Sequence, residues 1–369
     1  SADLVRHLRN LDDPAINDTI AKVWGIARKS SEEKAAQIAA VTKMIASDGG
    51  KRPDAWMGRA VFAKTCAQCH TLFGAGAKIG PELTGSNRAN LEYLLSNILD
   101  PSAVMAKEYQ PSVIATGDGR VVTGLITAQS DAALTVQTAT EQVVVPRDEI
   151  EQMKLSDQSM MPEDLLKPLS DEQVRALVAY VSGPAQVPML ATPETAQKLF
   201  NGTDLTGWHG NMSLWSVENG ELVGRTTGLK ENEFLATDLA AGDFRLKVEV
   251  DLVGNRGNSG IQFRSEQLPD GLVKGYQADV GIGWWGKLYE EHGRALLWKR
   301  SGESFVKPGW NTYEIEAKGS KIRTWINGNL CVDLEDTGGA RRGIFALQLH
   351  SGGPTEVRFR NFELTLDPQ

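Results

Sequence analysis

Between Thr65 and Gly76 the chain reads TCAQCHTLFGAG, which sets Cys66 and Cys69 two residues apart and His70 directly after the second thiol. No other stretch restricts the fold so tightly. On a helical turn, residues three and four apart share one face, so both thiols and the imidazole can reach a single planar ligand. A redox-active thiol pair would want a strand–helix–strand setting, whereas the flanking DAWMGRAVFAK reads as helix. A structural zinc site would need a further Cys or His nearby. Cys331, the third cysteine, lies in an apolar strand-like run and reads as a buried packing residue.

C-x-x-C-H is the attachment pattern of c-type haem, so one covalent haem c is expected, with Cys66 and Cys69 adding across its vinyl groups and His70 as an axial ligand. A methionine in the sixth position raises the reduction potential and suits electron transfer. Met105, Met153, Met160 and Met161 follow downstream, and QSMMPEDLL places the last two on a loop just before a helix-starting signal.

Gly58, Phe62 and the CxxCH motif, then Gly80, Pro81, Leu83 and Gly85, then Ser159, Met161, Pro162 and Glu163 form an ordered set. In that set the chain resembles class I cytochromes c. The resemblance implies His70 and Met161 as the iron ligands, with Met160 as second choice for the sixth position. It also implies that the Pro81 carbonyl takes the hydrogen bond from the other His70 ring nitrogen and that Leu83 packs on the haem face. Arg88 or Asn87 is a candidate partner for a propionate.

At 369 residues the chain exceeds one ordinary core. Its 41% apolar and 23% charged composition is globular, and no apolar run is long enough to cross a bilayer. A net charge of −8 and a pI near 5.3 oppose nucleic-acid binding, which needs a phosphate-neutralising surface. Residues 1–50 read as a helical segment, with Ile16, Ile20, Val23 and Trp24 at helical spacing and Ser30 with Glu33 in capping-box register. The haem domain is expected over 51–183, interrupted by a small β insert at about 110–150, where Asp118-Gly119 marks a hairpin. SDEQVRALVAYVSG is its last helix, capped by Ser170 and Gln173, with a stripe of Val174, Leu177, Val178 and Val181. The resemblance has this helix cross the one carrying Gly58 and Phe62. Residues 184–194, with three prolines and no helical periodicity, read as a linker.

From 195 to 369 short alternating runs recur between Gly, Asn and Asp turns, as in FRLKVEVDL, TYEIEAKG and EVRFRNFEL, which indicates an antiparallel β-sandwich. LFNGTDLTGWHG, WSVENGELVG, GNSGIQFRS, GYQADVG, GWWGKLYEE and VRFRNFEL together resemble the 3-keto-disaccharide hydrolase domain family, a jelly roll. The fold class is therefore multidomain, an all-α cytochrome c-like domain with a β insert followed by an all-β jelly-roll sandwich. The resemblance implies binding or cleavage of glycosides, some of them oxidised at C3.

Period two puts Gln262 with Arg264, Gln277 with Asp279, and Gln348 with His350 on one side of their strands. If they share a face, they line a polar groove. Trp284, Trp285 and Tyr289 are candidates for its rim, because flat aromatic faces suit sugar rings. A ketone at C3 acidifies the C2 proton and leaves the C1 substituent β to the carbonyl, so one base, one acid and a donor near the ketone oxygen are needed. Asp279, Glu290, Glu291 and His350 are the acid/base candidates, with at most one of the adjacent glutamates facing inward. Arg264, Gln277, Lys287 and Gln348 are the donor candidates. The E-x-D-x-x-E pattern of two-carboxylate jelly-roll hydrolases fails here, since EVDLVG ends in Gly254. His209, His292 and His350 carry no metal-ligand spacing, though a divalent cation in this domain is left open.

Two functions are expected. The first is an exported electron-transfer cytochrome fused to a domain that hydrolyses or eliminates 3-keto-glycosides, supplied by a sugar C3 dehydrogenase. The second is a non-catalytic carbohydrate-binding module that carries the cytochrome to a polysaccharide. Partners are then a redox protein and a glycan. Haem attachment outside the cytoplasm implies a periplasmic or cell-surface location; no basic then apolar leader follows Ser1, so the expectation rests on the motif.

Overall fold

The computed structural model of the chain describes residues 2–47, 50 and 52–368. Two compact units are present, Ser1–Val187 and Pro188–Gln369.

Among the described residues the first unit is built on six α-helices, α1 (Ala2–Arg9), α2 (Pro14–Val23), α3 (Glu32–Ala46), α4 (Ala55–Thr65), α5 (Leu91–Leu99) and α6 (Asp171–Ser182). Each start has a local cause. Asp54 accepts from the Trp56 amide to begin α4, and Ser170 and Gln173 close a reciprocal capping box on α6. Val174, Leu177, Val178 and Val181 of α6 are buried against Phe62, Leu72, Leu94 and Leu95. Helices α4 and α6 meet at Gly58, where a Cβ would fall 1.9 Å from the Ala176 carbonyl oxygen. Only glycine allows that approach. One turn on, Phe62 meets Tyr180 edge-on with ring centroids 5.5 Å apart.

The first fifty residues are not all helix. Gly25–Ala27 forms a strand paired antiparallel with Val104–Ala106. Ile16, Ile20 and Trp24 join a small cluster with Val5 and Val104, whereas Val23 points away from it and is 76% exposed. The N-cap of α3 is Ser31, which accepts from the Lys34 amide, one residue later than the Ser30 register read from the sequence. Between α5 and α6 lies a five-stranded sheet over 112–155, closed around Ile114, Leu134, Val136 and Val145. Its first hairpin turns at Asp118-Gly119, with Gly119 at φ 85° and the Asp118 carboxylate bonded to Thr116 and Arg120.

The second unit packs a seven-stranded sheet on an eight-stranded one. Five strands of the larger sheet lie side by side: β1 (Glu233–Ala241), β2 (Asn258–Gln267), β3 (Val273–Gly281), β4 (Leu288–Glu291) and β5 (Gly343–Leu349), in the spatial order β4-β3-β2-β5-β1. Leu235, Ile261, Phe263, Tyr276, Ala278, Val280, Leu347 and Leu349 face Leu246, Val248, Tyr313 and Ile315 of the opposing sheet in one core. Part of the stretch expected as linker belongs to this unit, because Met189–Leu190 pairs in parallel with β1. Among the described residues no helix is long and apolar enough to cross a membrane.

Candidate functional site

In the first unit, Cys66 caps the C-terminus of α4, and the next turn closes with the Cys69 and His70 amides donating to the Cys66 carbonyl at 3.0 and 2.9 Å. The chain then folds back. Ala77 donates to the Ala67 carbonyl, Ile79 and Gly80 donate to that of Cys69, and Leu83 donates to that of Thr71. Two glycines permit the return: a Cβ on Gly76 would lie 2.1 Å from the His70 carbonyl oxygen, and one on Gly80 would lie 2.7 Å from Cε1 of the His70 ring. The imidazole is thereby pressed against backbone, and its Nδ1 donates to the Pro81 carbonyl at 2.8 Å. That bond fixes the tautomer and leaves the Nε2 lone pair for a metal.

Cys66 and Cys69 are both unpaired thiols, and burial raises the pKa of each. Leu83 packs at the edge of the α4–α6 core. Of the four methionines, Met105 is buried in the short strand beside Ile26, and Met153 is exposed on the β insert. Met160 and Met161 are half-buried on the loop after that insert. Two unpaired thiols, an imidazole with its lone pair free, a backbone cradle that admits no side chain and a thioether loop form a donor set that fits c-type haem. The propionate candidates are otherwise engaged. Arg88 binds the carbonyls of Val181 and Gly183 at the end of α6 and lies over the Phe73 ring, while Asn87 donates to Asp3.

In the second unit the larger sheet is buried on both faces over β2, β3 and β5. One face meets the core. The other carries Gln262, Gln277, Asp279 and Gln348, all almost fully buried. Register explains the grouping, since Gln262 pairs with Gln277, and Gly260 sits between Asp279 on one side and Gln348 on the other. With no side chain at Gly260 the Gln277 side chain leans across; a Cβ there would lie 2.4 Å from its Cδ. Ser265 donates to Gln262 Oε1 at 3.2 Å, Gln262 to Gln277 Oε1 at 2.6 Å, and Gln277 to Asp279 Oδ1 at 2.7 Å. One Asp279 oxygen is thus held. The other, Oδ2, is buried without a partner, and so are both amide atoms of Gln348.

A pocket of about 240 Å³ opens on this face, lined by Asn232, Asn258, Gln277, Asp279, Trp284, Tyr289, Glu291 and His350. Burial pushes the Asp279 pKa up to about 7, the Glu291 charge adds to the rise, and the Gln277 hydrogen bond and the Lys287 charge oppose it. Glu291 accepts from Asn232 at 3.1 Å. His350 donates from Nδ1 to the Ser351 carbonyl at 2.7 Å, which leaves Nε2 as its second functional nitrogen. Trp284 and Tyr289 meet edge-on at 6.3 Å, and the Lys287 ammonium lies 4.9 Å over Trp284.

Three sequence expectations are corrected. Arg264 falls in a bulge between Phe263 and Glu266, which turns its side chain to the carbonyls of Gly242 and Gly319 and to Asp243. Glu290 pairs opposite Tyr276, on the face away from the pocket, and is bound by Arg294, which also grips Asp336. Trp285 is a core residue, 1% exposed, with its indole N–H on Asn255. Asn232 and Asn258 line the pocket without having been anticipated. Asn258 shares the period-two face of Gln262 and could have been found that way; Asn232 precedes its strand and gave no signal. His209 bonds Gln267, away from the pocket residues. Among the described residues no cluster of three His, Cys, Asp or Glu side chains is placed to hold a metal ion.

Residues 55–111 match the cytochrome c family, and residues 195–365 match the family described as a 3-keto-alpha-glucoside-1,2-lyase-like domain. No curated protein sequence matches the chain. Among solved structures, it is similar to the carbohydrate binding module CBM66 from Bacillus subtilis, at 20% identity and a TM-score of 0.36, over 43% of this chain and 94% of that one. It is also similar to a protein named as a "putative glycosyl hydrolase" from Parabacteroides distasonis, at 19% identity and a TM-score of 0.36, over 47% and 97% of the two chains. The chain thus joins a cytochrome c domain to a jelly-roll domain of the 3-keto-alpha-glucoside-1,2-lyase-like kind.

Proposed function

We propose that the jelly-roll domain eliminates or hydrolyses glycosides oxidised at C3, and that the cytochrome domain takes up the electrons released when a separate dehydrogenase makes that ketone. One observation carries the enzymatic half: Asp279, with Oδ1 fixed by Gln277 and Oδ2 buried without a partner, lines a pocket of about 240 Å³. A carboxylate poised near neutrality is suited to abstract the C2 proton. The electron pair moves onto the C3 ketone oxygen, for which the Asn258 amide of the pocket wall is a candidate donor. Return of that pair expels the C1 oxygen, which takes a proton from His350. The product is an unsaturated ketone, and water adding at C1 completes hydrolysis.

In the cytochrome domain, Cys66 and Cys69 would hold one haem covalently, and His70 and Met161 would bind its iron. The haem supplies one-electron exchange. The chain orients His70 through Pro81 and keeps the imidazole pressed on Gly80. A periplasmic or cell-surface location belongs to the same reading, because c-type haem is attached there in bacteria. The cytochrome implies a redox partner and the jelly roll a glycan.

An assay of the holoprotein with a 3-keto-disaccharide tests the enzymatic half. Release of the second sugar, lost in Asp279→Asn and reduced in His350→Ala or Glu291→Gln, is the expected result. Tight binding of glycan without any turnover by the wild type overturns it in favour of a carbohydrate-binding module.

A further inference from the structure

The loop that carries Met161 has no regular structure of its own from Ser156 to Asp164, so its position falls to side chains reaching it from elsewhere in the unit. Among the described residues three side chains distant in sequence do so, and a fourth bond within the loop relays one of them to the methionine. Gln110 donates to the Ser156 carbonyl at 2.9 Å. Ser102, itself 2% exposed, accepts from the Ser159 amide at 3.0 Å, and the Ser159 hydroxyl in turn accepts from the Met161 amide at 3.1 Å. On the far side of the methionine, Lys34 pairs with Glu163 at 2.6 Å. Pro162 adds a constraint by confining Met161 to extended backbone.

Lys34 stands in the first turn of α3, whose other end is anchored: the Arg175 guanidinium of α6 donates to the Met44 carbonyl at 2.9 Å. The helix is therefore a strut between α6 and the methionine loop. We propose that Lys34 and Ser102 are positioning residues for Met161, so that helix α3 sets how firmly the sixth ligand is held. The proposal rests on reading Met161 as that ligand. A single ion pair that keeps some solvent contact, Lys34 at 19% and Glu163 at 38% exposure, adds little to global stability. Its effect lies in keeping the loop in one arrangement, which a competing ligand must overcome.

The test uses the mature holoprotein, its Lys34→Gln and Ser102→Ala variants, and the conservative Lys34→Arg and Ser102→Thr. Two quantities are read: the methionine-to-iron charge-transfer band of the oxidised form, and the affinity for added imidazole. The wild type is expected to show the band and resist imidazole. Lys34→Gln and Ser102→Ala are expected to weaken the band and bind imidazole about tenfold tighter, with recovery in the conservative pair. Wild-type protein without the band overturns the Met161 assignment and the proposal with it. A wild type that shows the band, with both disruptive variants titrating as it does, overturns the positioning role alone. Lys34 lies at the surface end of a capped helix, so its variant remains informative should Ser102→Ala fail to fold.

Discussion

Asp279 is buried among amides with its pKa raised from an ordinary 3.8 to about 7, and the same burial that makes it a useful base weakens the fold. Between those two pH values the folded chain keeps a proton that the unfolded chain has released. Raising the pH through that window therefore costs stability, with the full penalty present above about 7 and none below the ordinary value. At about 1.4 kcal/mol per pH unit the penalty reaches about 4 kcal/mol as an upper bound. Asp279→Asn is expected to unfold at higher denaturant than wild type at pH 8, with the gap closing toward pH 4; equal midpoints at pH 8 would show that the carboxylate is not desolvated. On the proposed elimination the ionised form is the base, so the rate is expected to rise with pH through about 7. Gln277→Leu removes a bond to the ionised form and should move that limb alkaline, whereas Glu291→Gln removes a like charge and should move it acid, each by about half to one pH unit. A pH–rate profile that shifts the same way in both variants contradicts this electrostatic account. Strand alternation alone was enough to bring Gln262, Gln277, Asp279 and Gln348 to one face. It was not enough to keep Arg264 off it, because a bulge shifts the period without leaving a mark in residue type, and it gave no means of telling Trp284 from Trp285 within a turn.

The helix pair α4 and α6 shows the same physics at the level of elements. Their crossing is legible in sequence through Gly58, Phe62 and the apolar stripe of α6, since a missing side chain marks where two backbones approach. The cap of α6 was legible for a similar reason, because Ser170 and Gln173 satisfy each other's backbone amides and no tertiary contact intervenes. The short strand at Gly25–Ala27 was not, because it pairs with Val104–Ala106, nearly eighty residues on, and nothing local distinguishes it from a frayed helix end. Gly58→Ala tests the crossing directly. With a Cβ forced to 1.9 Å from a backbone oxygen the helices must separate, at a cost of about 1–3 kcal/mol. Denaturant unfolding of the holoprotein should show that loss in the haem-domain transition, while the jelly-roll transition keeps its midpoint. An unchanged haem-domain transition would mean that the two helices slide apart freely.

For the whole molecule the two chemistries must be kept distinct, because elimination or hydrolysis of a 3-keto-glycoside moves protons and a leaving group but no net electrons. On the proposed reading, the cytochrome therefore gains nothing from the reaction in the jelly roll. Under the proposed coupling, electrons appear one step earlier, when the C3 alcohol becomes a ketone, and that step releases two of them where a single haem accepts one. Each sugar oxidised must then reduce two haems, or the same haem twice with an acceptor beyond it. This makes a sharp expectation. Mixed with a 3-keto-disaccharide alone, the oxidised holoprotein should release product with no change in its haem spectrum. Mixed with the unoxidised disaccharide and a sugar C3 dehydrogenase, it should show reduced haem first and product after, at up to two haems reduced per sugar. Asp279→Asn should abolish product release in both mixtures and leave haem reduction by the dehydrogenase intact. Haem reduction by the 3-keto sugar alone, or its loss in Asp279→Asn, would mean that the two domains share one reaction.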